Sequence, residues 1–156
     1  AESIQFAENL FEGVAVIVED KIKKLPRGIT KNTPDLTTIQ INCIVEGLKF
    51  DVKKVNLEAG KKVRLVFNNP DVMQHNLVVV KPGTADSVAN AALLMGAEGF
   101  TKEFLPETDD IIIASKLLIA NEKQVLTFTL EEPGTYPFVC TFPGHAMMMR
   151  GTFEVK

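Results

Sequence analysis

Apolar and polar side chains alternate along most of this chain in short runs, with Gly and Pro interrupting them at intervals. That pattern predicts an all-β protein, an antiparallel sandwich of about eight short strands. Residues 38–45 (TIQINCIV) place Ile39, Ile41 and Cys43 on one face and Gln40 and Asn42 on the other. Residues 62–68 (KVRLVFN) turn Val63, Leu65 and Phe67 inward, with Arg64 between them. Residues 14–18, 50–57, 75–80, 124–130, 135–140 and 151–155 supply the remaining strands. The run Ile111-Ile112-Ile113-Ala114 is also strand-length. One helical insertion is expected over about residues 84–99. Thr84 or Asp86 would cap it, Val88, Ala91, Ala92 and Met95 recur at helical spacing, and Gly96 and Gly99 close it. A single helix between two β runs does not make a parallel α/β sheet.

Length and composition set outer limits. A chain of 156 residues reads as one domain able to bury a full core without disulfides. Residues 35–156 would form the sandwich, and residues 1–34 an N-terminal extension or extra hairpin before it. Seventeen basic against twenty acidic residues leave a net charge of −3, which speaks against nucleic acid as a partner. No apolar run reaches the ~20 residues of a membrane span. Two cysteines cannot build a disulfide scaffold. The chain starts at Ala1 and not Met, through a removed signal peptide or a trimmed start.

Chemistry concentrates near the C-terminus. Cys140, His145 and Met149 fall within the loop that joins the last two strands, and Pro143-Gly144 lets that loop turn sharply. His75 lies 65 residues upstream at the start of another strand, which a sandwich can bring alongside. Two imidazoles, a thiol and a thioether match the trigonal His₂Cys copper arrangement with a weak axial Met. Structural zinc generally takes four strong donors, and magnesium and calcium take oxygen. Alone, Cys140 would be a small buried hydrophobe and His75 a satisfied core histidine; their spacing and neighbours favour ligation. Spacing selects Met149 as the axial donor, with Met148 as the alternative. Cys43 reads as a structural core thiol, and Tyr136 as a tyrosine corner.

Cys140-Thr141-Phe142-Pro143-Gly144-His145 followed by Met149 resembles the copper loop of azurins. Met73-Gln74-His75-Asn76 is similar to the first-ligand motif of azurins and auracyanins, and Gly134-x-Tyr136-x-Phe138-x-Cys140 resembles the strand that enters the cupredoxin copper site. The likeness covers roughly residues 38–156. It implies a cupredoxin Greek-key β-sandwich with one type 1 copper held by His75, Cys140, His145 and Met149. It also implies that Asn76 ties the two ligand loops together, and that the amides of Asn76 and Phe142 point at the Cys sulfur. Three features depart from azurin: Gln74 replaces a Gly, which sets the carbonyl that approaches copper there farther away, no Trp is present, and the azurin disulfide cannot form.

These readings point to a blue-copper protein that shuttles one electron between a redox donor and acceptor protein outside the cytoplasm, in the periplasm or an equivalent compartment. Four protein donors leave no open metal position, so catalysis is not expected. Leu117, Leu118, Pro143, Ala146 and Met147 would surround the His145 edge as an apolar docking patch, with ordinary surface hydrophobes as the alternative. The rival readings are copper storage or delivery, the copper domain of a larger redox assembly, and a module that assembles through residues 1–34.

Overall fold

The structure, a computed structural model, describes residues 25–156. The strand expected at 14–18 lies outside those residues. Two sheets pack face to face. The first has the order β1 (Gly28–Asn32), β2 (Leu36–Asn42), β4 (Lys62–Asn69), β7 (Glu122–Thr129); the second runs β3 (Lys54–Leu57), β9 (Arg150–Val155), β8 (Gly134–Val139), β5 (Val78–Val80), β6 (Ile111–Ala114). β2 runs parallel to β4 and β3 parallel to β9, while the other neighbours are antiparallel.

The alternation seen in the sequence decides which side chains meet between the sheets. Ile39, Ile41, Leu65 and Phe67 from the first sheet and Phe138 and Phe153 from the second are all fully buried. Cys43 joins that cluster as a free thiol. The Tyr136 hydroxyl donates to the Glu132 carbonyl at 2.7 Å, the tyrosine corner expected of a Greek-key crossover. Val78 and Val80 turn to the opposite face of the second sheet and pack with Val139 on a helix, α1 (Ala85–Leu93), through Ala85 and Val88. Both faces of β5 are therefore covered, which is why Val78-Val79-Val80 is apolar throughout.

Several elements differ from expectation for local reasons. The helix stops after nine residues, at Leu93, short of the expected end near residue 99: Gly96 takes φ +59°, and a 3₁₀ turn over Gly96–Phe100 follows. Thr84 occupies the N-cap but its hydroxyl donates to the Lys81 carbonyl, so no side chain caps the helix. The run at 111–114 is a true strand at the sheet edge, and Gly28–Asn32 is a further one. Residues 50–57 do not form one strand. Asp51 instead accepts from the Asn42 amide (2.8 Å) and its side chain (2.7 Å), and only Lys54–Leu57 joins the second sheet. Residues 75–77 likewise leave the β5 ladder, His75 forming an isolated bridge with Leu118.

Candidate metal centre

Strand pairing converts distant residues into neighbours. β5 and β8 are antiparallel with Val78 opposite Val139. The residues just before β5 therefore lie beside those just after β8, which puts His75 and Asn76 at the same sheet end as Cys140 and Thr141. The loop after Cys140 folds back on itself. Gly144 takes φ +84°, a conformation glycine adopts without strain. The His145 amide then donates to the Phe142 carbonyl (3.0 Å), Met149 to His145 (2.9 Å) and Cys140 to Met149 (3.0 Å). Arg150 Nε donates to the Ala146 carbonyl at 2.6 Å and holds the coil closed.

Three donor atoms converge. Cys140 Sγ lies 4.0 Å from His75 Nδ1 and 3.7 Å from His145 Nδ1. The three lie within 4.8 Å of one another, and all three residues are buried. Met149 is completely buried in the core cluster that contains Cys140, whereas Met148 is 57% exposed. Burial therefore favours Met149 over Met148 as the axial donor. A soft thiol, two imidazole nitrogens and a thioether suit copper and do not suit the oxygen-seeking cations.

Second contacts orient the donors. Asn76 Nδ2 donates to Thr141 Oγ1 (2.8 Å) and to the Glu103 carbonyl (3.0 Å), while Asn76 Oδ1 accepts from the Thr141 amide (2.8 Å). Thr141 Oγ1 donates onward to the Phe104 carbonyl at 2.7 Å. One asparagine thus ties together both ligand loops and the 101–105 segment, where Glu103 and Phe104 sit at positive φ. Gln74, half-buried, precedes His75. Phe142 packs on His145 with ring centroids 4.7 Å apart, and Phe104 and Phe100 extend the aromatic cluster to the surface. The motifs revealed neither the 101–105 strap nor Asp71. Asp71 Oδ2 accepts a hydrogen bond from His75 Nε2 at 2.7 Å, with both side chains buried. The only signal for it was an Asn-x-Asp turn four residues ahead of His75.

Burial governs the protonation of the donors. It pushes the Cys140 thiol up to about 11, although the backbone amides of Asn76 and Phe142 facing the sulfur work against it. Burial, then the charge of His75, lowers His145 to about 4, with Asp71 opposing. Asp71 is disfavoured as a carboxylate by burial, yet hydrogen bonds from His75 and from the Glu46 and Val72 amides more than offset this and lower its pKa. A pH dependence follows for the metal-free protein. The unfolded chain protonates His145 near 6.5, whereas the folded chain resists until about 4. The unfolded state therefore binds more protons in that window, so stability falls as pH drops from 6.5 towards 4. Chemical denaturation of the metal-free protein at pH 7 and pH 4.5 checks this; equal midpoints would contradict it.

The expected apolar patch is only partly at the surface. Leu118 is a core residue, 4% exposed, because its backbone pairs with His75 in both directions (3.1 and 2.8 Å). It cannot line a docking face. Leu117 is half-buried, with its amide bound to the Glu103 carboxylate. Pro143 and Ala146 are half-buried and Met147 is 89% exposed. Phe100, Val72 and Met73, which no sequence motif marks, are also exposed.

Comparison with known proteins agrees with the geometry. Residues 37–156 match the family described as copper binding proteins of the plastocyanin/azurin family. The chain is 39% identical over 123 residues to auracyanin-A of Chloroflexus aurantiacus, covering 76% of this chain and 74% of that one. It is 35% identical over 119 residues to an azurin of Pseudomonas fluorescens biotype C, covering 70% and 91%. The solved structure of auracyanin A, described as a "blue" copper protein, superposes with a TM-score of 0.71 at 37% identity, over 78% of this chain and 99% of that one. With matching sequence and fold over most of its length, and a buried His-Cys-His donor group at one end of the sandwich, the chain belongs to the plastocyanin/azurin family of copper-binding proteins.

Proposed function

We propose that this protein carries single electrons between redox proteins through one type 1 copper held by His75 Nδ1, Cys140 Sγ, His145 Nδ1 and the Met149 thioether. The observation that carries the reading is the buried convergence of two imidazole nitrogens and one sulfur within 4.8 Å in a site already tied shut by Asn76 and Thr141. Copper supplies a one-electron Cu(II)/Cu(I) couple when bound there. The protein's part is to hold the donors still between the two states, and the Asn76 ties and the coiled 140–149 loop do so. Four side-chain donors leave no position for a substrate, which argues against an enzyme. A related auracyanin from Roseiflexus castenholzii, 35% identical with a TM-score of 0.69, was crystallised in a dithionite-reduced form, in keeping with a redox role.

Exposed Met147 and half-buried Pro143 and Ala146, in the same loop as His145, together with exposed Phe100, whose ring packs edge-on against Phe142, are the apolar side chains we assign to docking of donor and acceptor proteins. Family likeness supports work outside the cytoplasm, and among the described residues no helix is long and apolar enough to cross a membrane. Stopped-flow mixing of the reduced copper-loaded protein with a one-electron oxidant tests the reading. Repeated oxidation and reduction with copper retained against a chelator is expected. Rapid, complete surrender of copper to the chelator would favour storage or delivery and overturn it.

Met149→Leu probes the axial donor. Removing a weak donor to Cu(II) is expected to keep the colour while shifting the oxidised-to-reduced balance about tenfold towards Cu(I), a rise of about 59 mV for one electron. A colourless variant at full copper loading would show that the geometry has been misassigned.

A further inference from the structure

The buried pair Asp71–His75 is a carboxylate contact of the centre that neither the sequence motifs nor the family match assigns. Asp71 follows β4 in an Asn-Pro-Asp turn, where its amide donates to Asn69 Oδ1 at 3.1 Å. Asn69 is itself fixed, donating to the Met73 and Leu118 carbonyls at 2.9 and 3.0 Å. Oδ1 of Asp71 accepts from the amides of Glu46 (3.1 Å) and Val72 (2.9 Å), the former presented by a left-handed residue with φ +58°. Oδ2 is left for His75 Nε2, at 2.7 Å. Asp71 is 1% exposed and His75 fully buried, so water does not screen the contact.

An ionised carboxylate only accepts hydrogen bonds, so the proton of this contact belongs to Nε2. A neutral imidazole protonated at Nε2 has its lone pair on Nδ1, the atom 4.0 Å from the Cys140 sulfur. We infer that Asp71 is a positioning residue of the copper centre: it locks His75 in the tautomer that presents a bare Nδ1 and keeps a fixed negative charge behind that ligand, favouring Cu(II) over Cu(I). The inference rests on the proposed ligation by His75. Charge counting sets its direction. With Cys140 as thiolate and Asp71 ionised, Cu(II) makes the buried cluster neutral, whereas Cu(I) leaves it with one net negative charge. A low-dielectric interior disfavours the uncompensated charge, so the carboxylate works against reduction. Carboxylate partners of metal-bound imidazoles also raise ligand basicity, and losing one typically weakens metal binding roughly 10–100-fold.

The test compares Asp71→Asn with the wild type and with Glu58→Gln, which removes a charge from an exposed side chain at the turn between β3 and β4. In Asp71→Asn, Cu(II) affinity is expected to fall at least tenfold and Cu(I) affinity much less, so the oxidised-to-reduced balance moves about tenfold towards Cu(I), a rise of about 59 mV. Glu58→Gln is expected to leave that balance within twofold. A purely structural role would weaken both oxidation states alike. An unmoved balance in Asp71→Asn, or an equal shift in Glu58→Gln, therefore overturns the inference. Should Asp71→Asn fail to fold, nitrogen-15 NMR of the wild-type Cu(I) protein decides the matter. A slowly exchanging, downfield Nε2 proton on His75 is expected, and its absence overturns the inference. Either failure, in a protein that is blue and reversibly reduced, leaves the copper carrier reading intact.

Discussion

Cys140→Ser is expected to abolish the visible colour of the copper protein and to remove the largest share of its copper affinity. The intense blue band of such a site arises from charge transfer out of a thiolate sulfur, and serine offers neither the sulfur nor a comparable soft donor. The variant should still fold. Cys140 is fully buried, yet a hydroxyl of nearly the same size can accept from the Asn76 and Phe142 amides that face the sulfur. Proton release gives a second readout. Burial holds the free thiol at about 11, so the metal-free protein carries it protonated at neutral pH. Copper uptake by the wild type must expel that proton, and the serine variant has none to give up. Visible absorption and proton release measured during copper titration check both statements; a blue serine variant would show that the sulfur is not a ligand.

Asn76→Ala is expected to have the largest effect on stability. The change strands the buried Thr141 amide and the Glu103 carbonyl and leaves the Thr141 hydroxyl only its Phe104 contact. Each buried group left without a partner costs roughly 1–3 kcal/mol, so a loss of about 3 kcal/mol is expected. Thr30→Val provides the contrast, because the Thr30 hydroxyl bond to the Thr38 carbonyl is exposed and 3.3 Å long. That variant should shift stability by less than about 0.5 kcal/mol. Denaturant midpoints at unchanged slope measure both. Near-equal midpoints for the two variants would show that the Asn76 network does not hold the loops.

Much of the fold was readable because strand patterning is local. Ile39, Ile41 and Cys43, and Val63, Leu65 and Phe67, stand two residues apart, and one side of a pleated strand must collect them whatever the partner strand is. The copper loop was readable for a related reason: Cys140, His145 and Met149 lie within ten residues, and Pro143-Gly144 supplies the turn between them. Errors arose where a distant partner outbid local preference. Residues 50–53 have strand-like composition, but the Asp51 carboxylate is engaged by Asn42. Leu118 looks like a surface leucine until its backbone is seen paired with His75.

The order of residues alone therefore settled which chemistry was present: a thiol, two imidazoles and a thioether at ligand spacing, in a chain patterned for β-sheet. Tertiary structure decided who faces whom. The pairing of Val78 with Val139 sets Asn76 beside Thr141, the coiled loop buries Met149 and exposes Met148, and the Asn-Pro-Asp turn delivers the Asp71 carboxylate to the far side of His75. The division has a physical basis. Donor identity and side-chain period are properties of one residue and its near neighbours, whereas burial, tautomer and hydrogen-bond partner are fixed by sheet register across dozens of intervening residues, which leaves no periodic trace in the chain.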